Sequence, residues 1–234
     1  MCTFSIQSQK NRCHLCHAPA SDGQLLCGPC YDSLPHLRHS CPSCALPLTE
    51  QTPTQGLCGE CLAEPPAFDR TLAPLCYRHP VNELISRFKY RQTLSDGNLL
   101  ARLLARHVQQ QASQAQLLLP MPLHPARLRL RGYNQAAELA RVLSRITGIP
   151  WDPHLLRRGH EGPSQREARR SERLRNVRSA FVCASQRLPQ RVAIIDDVIT
   201  TGATARAAAA SVRQAGANWV EIWAIARTPR HGAP

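Results

Sequence analysis

Four Cys-x2-Cys pairs, Cys13/Cys16, Cys27/Cys30, Cys41/Cys44 and Cys58/Cys61, dictate how the start of this chain can fold. Each pair can give two thiolates to one tetrahedral zinc ion, so eight sulfurs suit two structural sites of four ligands each. Ten residues separate the first two pairs and thirteen the last two. Pairing in sequence order is the simplest arrangement, although the spacing also permits interleaved sites built from the first and third pairs. Residues 1–63 hold nine of the eleven cysteines, many Pro, Ser and Gly turn signals and little hydrophobic periodicity, so they cannot build an ordinary core. Zinc is expected to fold this module. Four sulfur ligands leave no open position for Lewis-acid chemistry. His14 and His17 stand beside the first pair as spare ligands, but with both quartets complete they are expected to be solvated. Cys2, Cys76 and Cys183 have no such partner and are read as incidental.

The run Glu64-Pro65-Pro66-Ala67 disfavours helix and is taken as a boundary, giving a zinc module over 1–66 and a larger domain over 67–234. A short strand is expected over Thr71 to Tyr77. His79-Pro80 then opens a helix that aligns Val81, Leu84, Ile85 and Phe88, and a second carries Leu100, Leu103, Leu104 and Val108. Leu117 to Pro120 reads as a buried parallel strand. A helix over about Asn134 to Thr147 aligns Ala136, Leu139, Ala140, Leu143 and Ile146, and stops at Gly148. Ala180 to Cys183, Arg191 to Asp196 and Trp219 to Ala226 are further strands. Gly202 to Ala215 is a helix with Ala205, Ala208, Ala209 and Val212 inward. That alternation predicts an α/β domain with a parallel sheet flanked by helices.

The formal charge is +13, and Lys10 and Lys89 are the only lysines. Such a balance favours polyanionic partners, and guanidinium binds phosphate in bidentate fashion. No apolar stretch reaches the roughly 18 to 20 residues of a membrane span, and the polar start lacks a secretory signal, so a cytoplasmic protein without membrane insertion is expected. That setting also disfavours disulfides.

Arg191 to Asp197 is an apolar strand that ends in two carboxylates, followed by Val198-Ile199 and Thr200-Thr201-Gly202-Ala203-Thr204 at the start of a helix. Free backbone N–H groups, hydroxyls and the helix dipole converge there and can hold a phosphate, with Gly202 letting the backbone come close. Asp196 and Asp197 are placed to accept hydrogen bonds from a ribose diol beside that phosphate.

This string resembles the phosphoribosyl diphosphate (PRPP) motif of type I phosphoribosyltransferases. Together with the zinc block, Phe88-Lys89-Tyr90 and Arg131-Gly132-Tyr133-Asn134-Gln135, it resembles the ComF/GntX family over essentially the whole chain. The resemblance implies a type I phosphoribosyltransferase-like sheet behind a double zinc ribbon, and PRPP or a related ribose phosphate bound with Mg2+. Asp196 and Asp197 would hold the ribose, Thr200, Thr201, Gly202, Ala203 and Thr204 the 5′-phosphate, and the loop Met121-Pro122-Leu123-His124 the pyrophosphate. A hood over Glu161 to Asn176 would close with Gln165, Arg166, Arg169, Arg170 and Arg173 toward the diphosphate, and Arg131 is a further candidate there. The family implies a role in DNA uptake or in the use of DNA as a nutrient. The competing expectation is an active phosphoribosyltransferase of nucleotide salvage, displacing pyrophosphate at the anomeric carbon.

Arg127, Arg129 and Arg131, and the eight arginines from Arg157 to Arg178, exceed what one diphosphate needs. They form either a solvated face or a groove for single-stranded DNA, with Tyr77, Tyr90 and Tyr133 as stacking partners. The zinc module, with only Lys10, Arg12 and Arg38 as cations, is open to nucleic-acid contact or to a structural or protein-docking role.

Overall fold

The computed structural model describes residues 12–21, 23–49, 56–159 and 180–230. In chain order, short helices α1 (Gly28–Asp32) and α2 (Gly59–Ala63) each begin inside a cysteine pair, with Cys27 and Cys58 as their N-caps and Cys30 and Cys61 within them. Strands β1 (Arg70–Leu72) and β2 (Leu75–Cys76) lead into helices α3 (Val81–Arg91) and α4 (Leu94–Gln110). Strand β3 (Leu117–Pro120) is followed by α5 (Pro125–Arg131) and α6 (Gln135–Thr147), then by β4 (Leu156–Arg158) and β5 (Phe181–Cys183). Strand β6 (Arg191–Ile199), helix α7 (Ala203–Gln214) and strand β7 (Trp219–Arg227) complete the order.

The main sheet is parallel throughout, in the order β1-β7-β6-β3 with β2 also on β7. Its central strands are apolar on both faces because both faces are covered. Leu118, Ala193, Ile195 and Trp223 meet α3, α4 and α6 through Leu84, Ile85, Phe88, Leu104, Leu139 and Leu143. Leu119, Val192, Ile194, Ile222 and Ala224 meet α7 on the other face. There Ala205, Ala208 and Ala209 of α7 are small enough for close helix-to-sheet packing.

The zinc module straddles an edge of this sheet. Cys13, Leu26 and Leu34 pack into the α3/α4 side, whereas Cys41, Cys44, Leu46, Cys58 and Cys61 pack into the α7 side. The intervening segment pairs with β2: His36 bridges Leu75, Leu37 N donates to Pro74 O at 2.8 Å, and Cys76 N donates to Pro35 O at 2.7 Å. The edge strand is therefore covered. A buried carboxylate reinforces this docking. Asp96 of α4 has no exposure, His14 Nε2 lies 2.6 Å from its Oδ1, and Arg87 donates to both oxygens at 2.8 and 3.0 Å. Burial works against its charge, but Arg87 and His14 outweigh burial and hold the carboxyl below its usual range.

Several elements depart from expectation. The strand over Thr71 to Tyr77 is two strands, because Ala73-Pro74 interrupts the ladder and Pro74 has no N–H to give. Helix α5 was not expected: it buries none of its residues, so no amphipathic period marks it. Ile146, aligned with the inner face of α6, is 37% exposed. Strand β5 pairs with β4 in a separate two-stranded antiparallel sheet rather than in the parallel sheet. His14, expected in solvent, is bound to Asp96. No helix among the described residues is long and apolar enough to cross a membrane.

Candidate functional site

Strand β3 stops pairing with β6 at Pro120, opposite Ile195, and Met121 N makes the last bond, 2.8 Å to Ile195 O. Strand β6 runs on against β7 alone through Asp196, Val198 and Ile199. The carboxylates therefore lie within the strand rather than at its end, as the sequence had suggested. Where β3 falls short, this edge of β6 has no strand partner among the described residues, which makes a notch in the sheet. The chain leaving β3 covers one face with α6 and the chain leaving β6 covers the other with α7, the arrangement that leaves a crevice at the carboxyl ends of a parallel sheet.

Three elements supply charge to this notch. Asp197 N donates to Asp196 Oδ1 at 2.8 Å, and Lys89 Nζ of α3 lies 2.8 Å from Asp197 Oδ1. Arg158 of β4 donates from Nε to Pro122 O at 3.2 Å. Burial, and then the charge of Asp197, push Asp196 up to about 7, against the opposing pull of the Asp197 N–H, Lys89 and Arg158.

Beyond the carboxylates, Thr200, Thr201, Ala203 and Thr204 are exposed around Gly202, which has φ 82°. Gly202 caps α7 with no side-chain hydrogen bond, and Thr201 Oγ1 reaches Ala203 N only at 3.4 Å. The first-turn N–H groups of this twelve-residue helix thus have little side-chain capping, the condition under which a helix N-terminus can take an anion. On the other side of the notch lies the loop Pro122, Leu123 and His124, whose last member accepts from Ala126 N at 3.2 Å and caps α5.

The Arg131-to-Gln135 motif organises the wall beside this loop. Gly132 ends α5 with φ 76°, and Asn134 accepts from Ala136 N to cap α6 while its amide donates to Met121 O at 3.0 Å. Arg131 donates to Gln135 Oε1 at 3.0 Å and to Tyr90 OH at 3.2 Å, with its guanidinium 5.0 Å from the Tyr90 ring centre. Tyr133 packs edge-on against Phe88 at 5.7 Å and donates to Phe88 O. Tyr133 is thus not a free stacking partner, and Tyr77 is also partly buried, whereas Tyr90 is 65% exposed. Gln165, Arg166 and Arg173, with the rest of the expected hood, lie outside the described residues.

The eight knuckle cysteines gather as Cys13/Cys16/Cys27/Cys30 and Cys41/Cys44/Cys58/Cys61, with the sulfurs of each set within 4.8 Å of one another. This is pairing in sequence order. Cys16 and Cys27 sulfurs are 3.6 Å apart, as are those of Cys44 and Cys58. Zn–S bonds of about 2.3 Å place tetrahedral sulfurs about 3.8 Å apart, so both sets fit zinc.

A DNA utilization protein, YhgH, of Escherichia coli K12 is 31% identical over 222 residues, spanning 92% of this chain and 96% of that protein. Competence protein F of Haemophilus influenzae is 35% identical over 178 residues, 73% of this chain and 78% of its own length. The chain belongs to the ComF family. Residues 10–62 of this ComF-family chain match the double zinc ribbon domain model. Among solved structures, the B. subtilis glutamine PRPP amidotransferase complexed with ADP and GMP is similar over 54% of this chain and 25% of its own, with 24% identity and a TM-score of 0.39.

Lys89 entered the sequence pattern only as part of Phe88-Lys89-Tyr90, Arg158 only as one of the arginine run, and Arg227 not at all, although all three bear on this ComF notch. Lys89 carried a signal, as one of only two lysines in an arginine-rich chain. Arg158 was hidden in an arginine run. Arg227 followed a strand expected to end at Ala226.

Proposed function

We propose that this protein binds a ribose 5-phosphate unit, as in PRPP, in the notch beside β6 and acts in DNA uptake or DNA utilization in the cytoplasm. What carries the reading is the premature end of β3. It leaves Asp196 and Asp197 beside the loop after β3 and a few residues before a helix N-terminus whose N-cap, Gly202 at positive φ, gives no side-chain hydrogen bond. The 5′-phosphate takes the backbone N–H groups and hydroxyls from Thr200 to Thr204. The ribose diol donates to Asp196 and Asp197, and the diphosphate lies toward Pro122, Leu123 and His124. Lys89 and Arg158 balance the charge. The carboxylates and the diphosphate oxygens make a hard donor set that suits Mg2+, which would neutralise charge on the diphosphate. The names of the E. coli and H. influenzae relatives support the DNA-related role.

Tyr90 lends support to single-stranded DNA as a partner. Its ring stands exposed beside α5, where Arg127 and Arg129 are also exposed and Leu130 is 81% exposed. An aromatic face bordered by cations suits a base and its phosphates.

Isothermal titration of PRPP with Mg2+ into the zinc-loaded protein tests the reading. Binding is expected for the wild type and a large loss for Asp197→Ala; equal affinities refute the site. Pyrophosphate release with a panel of bases then separates turnover from binding alone. Oligonucleotide binding is expected to weaken with salt, and Tyr90→Ala should cost about 1–3 kcal/mol.

A further inference from the structure

Arg227 ends β7 and is only 2% exposed as a residue. Among the described residues its acceptors are neutral main-chain carbonyls. Nε donates to Cys44 O at 3.1 Å, and Nη1 donates to Ile199 O at 3.1 Å, to Thr228 O at 3.0 Å and to Thr200 O. Cys44 is a member of the second sulfur quartet, and Ile199 and Thr200 lead into the phosphate-binding turn. One buried cation therefore grips the zinc knuckle and the loop together.

A buried charge held by carbonyl dipoles alone is costly, and nearby opposite charge relieves that cost. Two such charges are available on either side. A zinc ion with four thiolates carries a net charge of −2, and a phosphate monoester at neutral pH carries nearly the same. A second link runs parallel to the first: Arg206 in α7 donates to Glu64 O, just past α2, at 2.8 Å. The second quartet also shares one apolar cluster with Ala205 and Ala208 of α7. The first quartet packs against the opposite face, with α3 and α4. The two metal sites are therefore not equivalent toward the notch.

We propose that Arg227 is a positioning residue that couples the second zinc site to the phosphate loop, so that metal in Cys41/Cys44/Cys58/Cys61 and phosphate on Thr200 to Thr204 stabilise one another. The proposal rests on the ribose phosphate reading above. Zinc at this site holds the Cys44 carbonyl in place, Arg227 transmits that position to the Ile199 and Thr200 carbonyls, and the loop presents its N–H groups to the anion. Coupling between two bound ligands is reciprocal, so it is measurable from the metal side without any catalysis.

The test follows zinc release from the full, zinc-loaded chain to 4-(2-pyridylazo)resorcinol, with and without saturating PRPP and Mg2+. A Cys13→Ser/Cys16→Ser variant identifies the phase that belongs to the second site. PRPP is expected to slow that phase about fivefold or more and to leave the first-site phase unchanged. Arg227→Met is expected to abolish the difference and to weaken PRPP binding by a similar factor, with Arg227→Lys restoring part of both. PRPP that binds the wild type yet leaves second-site release unchanged overturns the coupling alone, whether or not the variants fold. Slowing that persists at full size in folded Arg227→Met overturns the assignment to Arg227. A wild type that binds no PRPP overturns the ribose phosphate reading and this coupling with it.

Discussion

Asp196 gives the proposed site a pH dependence whose size follows from its surroundings. Burial and the Asp197 charge raise its pKa to about 7, so near neutrality the carboxyl is partly protonated. A ribose diol donates hydrogen bonds and needs an ionised acceptor, and a folded-state pKa that is raised for an acid means the ionised form is complete only above that value. Binding must therefore strengthen as pH rises through about 7. With that pKa, the ionised fraction is about 0.1 at pH 6 and about 0.9 at pH 8, which makes a roughly tenfold difference in affinity, or about 1.4 kcal/mol. The ligand's own phosphate, with a second pKa near 6, contributes only about twofold over the same range. Titration calorimetry of ribose 5-phosphate and PRPP at pH 6, 7 and 8 measures the total, and Asp196→Asn subtracts the carboxyl. The wild type should gain about tenfold or more while the variant gains about twofold. Identical profiles, or affinity that falls with rising pH, would refute the assignment of Asp196 as an ionised acceptor.

The other outcomes concern the scaffold. Asp96→Ala strips His14 and Arg87 of their shared partner; because Arg87 is 39% exposed and regains water, a loss near the low end of the usual range, about 3 kcal/mol, is expected. Thermal unfolding should show it as a fall of about 6–12 °C, and an unchanged midpoint would count against docking through this carboxylate. Gly202→Ala meets no steric obstacle, since the nearest atom to a new Cβ is Ile199 Cγ2 at 4.0 Å, but φ 82° alone should cost about 1–2 kcal/mol and weaken phosphate binding. Metal analysis of purified protein should find two zinc ions per chain, falling to one in Cys58→Ser/Cys61→Ser; a single zinc in the wild type would contradict the pairing of quartets.

The sequence spoke most clearly where chemistry demands a fixed local pattern. Cysteine spacing announced the two quartets, and the periodicity of Val81 to Phe88 and of Ala136 to Leu143 announced α3 and α6, since burial on one face forces that spacing. Zinc pairing needed the structure because knuckle spacing permits both orders. Helix α5 was invisible because capping by His124, Pro125 and Gly132, rather than burial, defines it. In the notch, the Asp-Asp and Thr-Thr-Gly residues were legible because their types imply a ligand. The places of Lys89, Arg158 and Arg227 beside them were not, since each reaches the site from a separate element and only the tertiary fold brings them near. The missed extension of β6 has the same origin: Asp196 and Asp197 look like a strand end until β7 supplies partners beyond them.

Whether a ribose 5-phosphate unit occupies the notch beside β6 is decided by a crystal structure of the zinc-loaded protein with PRPP and Mg2+. The 5′-phosphate is expected on the N–H groups from Thr201 to Thr204, with the ribose hydroxyls on Asp196 and Asp197. Ligand density elsewhere on the chain, with the Lys89 to Asp197 pair intact and the α7 N-terminus bare, would contradict it.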